Sequence, residues 1–586
     1  MLNSAHVNHL PTCTIVTGAD AFKKKEYEVP HAEKRSKDFE ESWIGLNDYA
    51  KELHTNGLTL TLVVDPTVQA DSSAFQRALE QDVGFIEWPQ TELVQTEVNQ
   101  IHPLAKETKI MFGIGRSDRH VAFPDFLDPL NKTTAWWMDE IKQLHFTANF
   151  DGVWLDMNEP ANLGADKHRH SKWDRKQLAP LKCPLTGLNA HFDVPPYQTA
   201  NVYQWGFENV LSTKTLCMLA TTSRNKTRFY DTKNLYGLSQ TIATQTAINY
   251  ATAKRGLVVS RSTFPSSGHY AGHWIDGTIG RWEDLRTSLI AIQEFNMFGI
   301  PYVGSNVHTI CNSDVADELC IRWQQLGAFQ SLSRYHNGNI GAPYNPKVLE
   351  AIRQANLFRY QYLPYLYSLH FNASMKGGSV LRPVFFEFPD DKNTHDLGYQ
   401  FMWGSAVMVV PAVYPGQNTV SGYLPTGAIW YSLRETEYGQ LVQGGHQEFS
   451  ARIDELPPVF LKGGTIISRQ RPNTTTTASR MNPFEIIIAL DANGMSPSGE
   501  LYWDDGDSVV SNDDFKQHAY SHWTFSMNHA NFENSSVLLT LTPTKIAVKS
   551  FSDFDNSSKV RKKIKGNYNL FLQCSYIFRK TLPSEV

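Results

Sequence analysis

The chain has no unbroken apolar run of the roughly 18 residues that a membrane-spanning helix needs. The longest candidate, residues 401–414 (FMWGSAVMVVPAVY), is shorter, carries Pro411 and reads as core strands. A basic surplus is also missing. The formal net charge is −5, which argues against a nucleic-acid-binding face. Cysteines are few, six in 586 residues, and none has zinc-ligand spacing. No His/Cys/Asp cluster calls for a metal, and no cofactor is expected. Residues 1–25 lack the apolar core of a signal peptide.

What is present is a globular composition. Hydrophobic residues make up 41% and charged residues 19%, enough for a large core. The length exceeds one ordinary domain, so two or three are expected. Six Asn-x-Ser/Thr sequons, at Asn131, Asn225, Asn372, Asn473, Asn534 and Asn556, hint at a secretory history.

Residues 151–160, DGVWLDMNEP, carry the strongest local signal. A short apolar run, Val153–Leu155, stops at Asp156 and is followed by Met157, Asn158, Glu159 and Pro160. A buried parallel strand reads as such a run. An acid at its carboxyl end lies where α/β barrels keep their chemistry. Asp156 is therefore a candidate catalytic carboxylate, although a strand-end aspartate also caps a following helix. Further apolar runs at 58–65, 256–260, 273–274 and 301–304 read as strands. Helical periodicity lies between them at 133–145, 283–298 and 316–329. Alternation of this kind means an α/β fold. Residues 66–122 and 161–215 read as two long irregular stretches that would wall a pocket. Beyond residue 375 the pattern turns to short alternating strands with Gly, Pro and Asn turns, an all-β signature.

The motif WLDMNEP resembles the nucleophile motif of glycoside hydrolase family 31. The likeness continues through VAFPDF (121–126), SRSTFPSSGHYAGHW (260–274), SRYHN (333–337), VLRPVFFEFP (380–389) and LYWDDGDS (501–508). These blocks stand in family order over roughly residues 40–550. They are most similar to the animal maltase, sucrase-isomaltase and lysosomal α-glucosidase group. The resemblance implies a (β/α)8 barrel at 41–375, incomplete at its N-terminal strands and carrying long inserted loops. It implies β-sandwich domains at 376–470 and, in part, at 471–556. Residues 1–40 match poorly, and 557–586 read as a divergent tail. The simplest account of the missing strands and leader is that the chain lacks its true beginning. The family also implies disulfides Cys183–Cys217 and Cys311–Cys320, an oxidising compartment, and a secretory or extracellular location.

By the same resemblance Asp156 is the nucleophile of a retaining glycosidase and Glu159 a supporting acid. Asp65, Arg261, Trp274 and His336 hold the sugar. The substrate is a small carbohydrate, an α-linked glucoside such as maltose. Four departures mark the site. Where the family reads GHWLGDNTAAW this chain reads GHWIDGTIGRW (272–282), so the acid/base position falls on Gly277. Asp276, one residue early, is the displaced acid/base candidate. GSNVHTIC (304–311) replaces GADIC, putting Asn306 or Thr309 at a substrate-binding aspartate. LVQTEVN (93–99) replaces a Trp-bearing segment, and the aspartate of the second barrel strand has no counterpart. The expectation is an α-glucosidase-type hydrolase of impaired activity. The alternatives are a non-catalytic sugar-binding glycoprotein or an incomplete, inactive product on the same scaffold.

Overall fold

The structure, a computed structural model, describes residues 14–17, 45–116, 119–165, 178–203, 206, 208–275, 280–308, 317–336, 346–491, 497–510, 518, 520–529, 536–545, 560–565 and 571–575. The chain divides into two compact units, Thr14–His273 and a second beginning at Trp274.

The first unit is built on parallel strands. In spatial order these are β1 (Thr14–Thr17), β2 (Thr59–Val64), β5 (Gly152–Leu155), β6 (Leu257–Ser260) and the start of β7 (Gly272–Ile275). All four residues of β5 are buried, as expected of a central parallel strand covered on both faces. Around the sheet run α1 (Leu46–Thr55), α2 (Ser73–Glu80), α3 (Lys132–Ala148) and α4 (Tyr236–Thr252). The α3 and α4 helices are tied by Trp137 Nε1 donating to Thr244 Oγ1 at 2.9 Å. Strand β1 lies in a segment where the sequence pattern marked no strand, and it pairs with β2 from Thr14↔Thr59 onward.

The stretch 66–122 is more ordered than its sequence suggests. It holds α2, started by Ser72 Oγ accepting from Phe75 N at 3.0 Å. It also holds the hairpin of β3 (Gly113–Ile114) and β4 (His120–Ala122). Two- and three-residue strands are too short to show a period of two, so the pattern could not reveal them. The stretch 161–215 has only short 3-10 turns among its described residues. It is pinned by the disulfide Cys183–Cys217, with Cα atoms 5.3 Å apart. The other expected bridge involves Cys311, which lies outside the described residues.

The second unit opens with α5 (Trp282–Met297), β8 (Val303–His308), α6 (Asp317–Gly327) and β9 (Arg334–His336), with β8 and β9 parallel. Then comes α7 (Pro346–Lys376), 31 residues long. No helix was marked there by periodicity. Pro364 lies inside it, and an interior proline reads as a stop because it removes a donor. Antiparallel strands follow. Leu381–Pro383, Phe401–Trp403, Val407–Val409 and Val459–Lys462 pair in series. A further sheet is built on Thr465–Gln470, Phe484–Ala489, Ser498–Asp504 and Tyr520–His529. Trp323, Phe329, Trp403, Tyr431 and Leu461 are all fully buried in one core that serves the helices and these sheets. No helix among the described residues is long and apolar enough to cross a membrane.

Candidate active site

Strand register builds the site. Val64 of β2 is level with Leu155 of β5, and Leu155 is level with Ser260 of β6. The next residue along each strand is Asp65, Asp156 and Arg261. Parallel neighbours stand about 4.8 Å apart, so one acid, a second acid and one guanidinium form a row at the carboxyl edge. Main-chain bonds carry the ladder one step further: Asp156 N donates to Val64 O at 3.1 Å, and Arg261 N to Leu155 O at 3.2 Å.

The chain turns sharply after Asp156. Met157 sits in the left-handed region, φ 56°, and its amide donates to Asp156 Oδ1 at 2.8 Å. The turn aims Asn158 at the neighbouring strand. Its Nδ2 donates to Ser260 Oγ, and its Oδ1 accepts from Ser262 N, both at 2.8 Å. Asp156 is thus fixed by its own turn, and no helix is capped by it.

Three cations meet three acids in this unit. Arg261 Nη1 donates to Asp156 Oδ1 at 3.0 Å, while its Nε lies 3.0 Å from Glu159 Oε1. Arg116 Nη2 donates to Asp156 Oδ2, and Arg116 Nε lies 3.6 Å from Asp65 Oδ2. Lys233, just ahead of α4, interacts electrostatically with Glu159. Burial alone would raise the Asp156 pKa, but Arg116 and Arg261 outweigh it and hold the carboxylate ionised. Glu159 goes the other way. Burial raises its pKa, Arg261 only partly offsets this, and the Asp156 charge adds to the rise. Glu159 Oε2 is buried with no hydrogen-bond partner among the described residues. Two acids three residues apart are therefore pushed in opposite directions. The two charged neighbours thus favour ionisation of Asp156, while burial disfavours it at Glu159.

Asp65, Asp156, Glu159 and Arg261 are brought together. Trp274 is buried on β7, directly after His273. His336 ends β9 in the second unit, where only its backbone is described. Asp276, Gly277 and Thr309 lie outside the described residues, and Asn306 is placed by backbone alone, level with Arg334. Arg116 and Lys233 were missed by sequence reasoning. Arg116 lies on the connection between β3 and β4, and nothing local in GIGRSDRH marks a residue that reaches two strand ends. Among the described residues no cluster of three His, Cys, Asp or Glu side chains is placed to hold a metal.

Acids and an arginine thus stand together at the carboxyl ends of parallel strands, and comparison with known families says which family carries them. The family 31 glycosyl hydrolase TIM-barrel domain matches residues 4–369, and the family's C-terminal domain matches residues 377–467. The chain belongs to glycosyl hydrolase family 31. It is 33% identical over 526 residues to the lysosomal alpha-glucosidase of Mus musculus, covering 86% of this chain and 50% of that protein. It is 32% identical over 512 residues to the intestinal sucrase-isomaltase of Homo sapiens, covering 84% of this chain and 26% of that protein. The chain thus spans half or less of the length of these relatives. Among solved structures, the glucosidase II alpha subunit superposes with a TM-score of 0.71, covering 92% of this chain and 51% of that one. A Flavobacterium johnsoniae dextranase of the family gives 0.70, covering 93% and 59%. Both are 18% identical to this chain, a likeness of fold.

Proposed function

We propose that the chain is a retaining α-glucosidase-type hydrolase with impaired turnover of natural substrates. The observation that carries this is Asp156: a buried carboxylate at a strand's carboxyl end, held ionised by two guanidinium groups within the family motif. One Oδ of Asp156 attacks the anomeric carbon as the glycosidic bond breaks and the aglycone oxygen leaves, and water then cleaves the glycosyl ester and restores the carboxylate. Arg261 positions the nucleophile and Glu159 together. Asp65, Trp274 and His336 are assigned to sugar binding. The leaving oxygen needs a proton, and Gly277 at the acid/base position has none to give. Losing a general acid costs about 10²–10⁴ in rate. The named relatives support α-glucosides as the substrate class and a secretory or extracellular setting. Exposed sequons at Asn131, Asn225 and Asn473 suit glycosylation there.

The test uses leaving groups. An aryl α-glucoside with an acidic phenol needs little protonation, so it should label Asp156 and turn over. Maltose should turn over slowly, and Asp156→Asn should abolish both. If Asp276 supplies the missing proton, Asp276→Asn removes what maltose activity remains and spares the aryl glucoside. Maltose turnover as fast as that of the aryl glucoside, unaffected by Asp276→Asn, rules out the impairment. A folded protein that binds glucose but never forms the ester favours a non-catalytic sugar-binding role, the second reading, which the Gly277 substitution supports.

A further inference from the structure

Resting on that reading of the site, we propose that Arg116 is an internal counter-ion that competes with substrate. It occupies the space between Asp65 and Asp156 and must be displaced before a sugar can bind. Its guanidinium donates to Asp156 Oδ2 and lies 3.6 Å from Asp65 Oδ2, so one planar group spans both carboxylates. A sugar held by Asp65 with its anomeric carbon at Asp156 needs that volume and those lone pairs.

The two arginines of the site are not equivalent. Arg261 follows directly from β6, is bonded through its main chain to β5, and is shared between Asp156 and Glu159. It approaches Asp156 from the Oδ1 side, which the Met157 amide also occupies. Arg116 comes from outside the parallel sheet, at the β3–β4 turn, where Gly115 N donates to Arg119 O at 3.0 Å. Both side chains keep about a quarter of their surface exposed, so what sets Arg116 apart is its place outside the sheet and its hold on Asp65 and Asp156 together. Asp65 is almost wholly buried and its Oδ2 faces this guanidinium, so an incoming hydroxyl must take the arginine's place. Ejecting Arg116 uncovers two buried carboxylates. That state favours a cationic occupant over a neutral one, because a cation replaces the charge that leaves.

The experiment measures binding of glucose and of protonated 1-deoxynojirimycin to full-length wild type, Arg116→Gln and Arg116→Lys by calorimetry. Aryl-glucoside labelling of Asp156 is followed in parallel. Arg116→Gln should raise iminosugar affinity at least tenfold and glucose affinity by less. Arg116→Lys, which keeps the charge, should hold the iminosugar-to-glucose ratio within about threefold of wild type. Arg116→Met, which keeps the aliphatic stem and loses the charge, repeats the test should the Gln variant fail to fold. An unchanged ratio in both neutral variants, or weaker binding of both sugars, overturns the counter-ion role. If Asp156 is still labelled in that case, the hydrolase reading survives. Absence of labelling and of binding of either sugar, in wild type and variants alike, overturns both.

Discussion

At the residue scale, the site turns on how few groups share a large burden of charge. Arg261 serves Asp156 through Nη1 and Glu159 through Nε. Arg261→Met should leave both acids with less compensation in a buried setting. We expect a loss of about 1–3 kcal/mol in urea unfolding at neutral pH, because each acid loses one charged partner while Arg116 and Lys233 still face them. The pH dependence carries a sign. Glu159 already has a raised pKa, from burial first and from Asp156 in addition, with Arg261 working against the rise. Removing Arg261 raises it further. An acid whose folded pKa exceeds its unfolded value binds more protons when native, so stability falls as pH rises from about 4.5 through the folded pKa. The variant should therefore lose stability more steeply than wild type as pH rises above about 4.5. Parallel pH profiles for the two proteins would show that Glu159 is not coupled to Arg261.

At the element scale, close approach of backbone decides where the site can form. Gly237, in the first turn of α4, faces the segment after β6: a Cβ there would stand 2.4 Å from Ser262 O. Ser262 N holds the Asn158 side chain, so the helix presses indirectly on the turn that carries Asp156. Gly237→Ala should destabilise by about 1–3 kcal/mol through overpacking and also slow ester formation. A variant with normal ester formation and lowered stability would show that the Ser262 contact is structural alone. The disulfide Cys183–Cys217 spans 34 residues of otherwise irregular chain. Closing a loop of that length stabilises by about 4 kcal/mol through the unfolded state. A Cys183→Ser/Cys217→Ser protein should therefore melt lower and be cut by protease within 184–216 first.

At the scale of the whole molecule, buried titratable groups tie stability to acidity. His273 is buried on β7, with Nδ1 3.0 Å from Thr263 Oγ1, and burial pushes its pKa down to about 3. The unfolded chain takes up this proton as pH falls below about 6.5, and the native state does not until far lower. Stability is thus lost progressively from pH 6.5 downward. Asp125 works the other way: burial raises its carboxyl to about 6, so over pH 4–6 it favours the folded state at the acid end. His273→Gln should flatten the fall in urea midpoint between pH 6.5 and 5. An unchanged slope would mean that His273 titrates normally in the native protein.

The sequence alone determined the parallel-strand alternation and the family, because these rest on local runs and on motifs in fixed order. Strand-end Asp65 and Asp156 were legible for the same reason, each following directly on an apolar run, whereas Arg261, set off from its run by Ser260, was legible only through the family motif SRSTF. The long helix 346–376 was hidden by one interior proline, and the β3–β4 hairpin by its shortness. Only tertiary structure decided which strand ends lie level, and so which charges meet. Register pairs Val64 with Leu155 and Leu155 with Ser260 through bonds between residues about a hundred positions apart, and no local pattern encodes that. Arg116 shows the same limit most plainly. It is an ordinary residue in its own stretch of chain, and it becomes a counter-ion because folding carries its guanidinium to two carboxylates that belong to other strands.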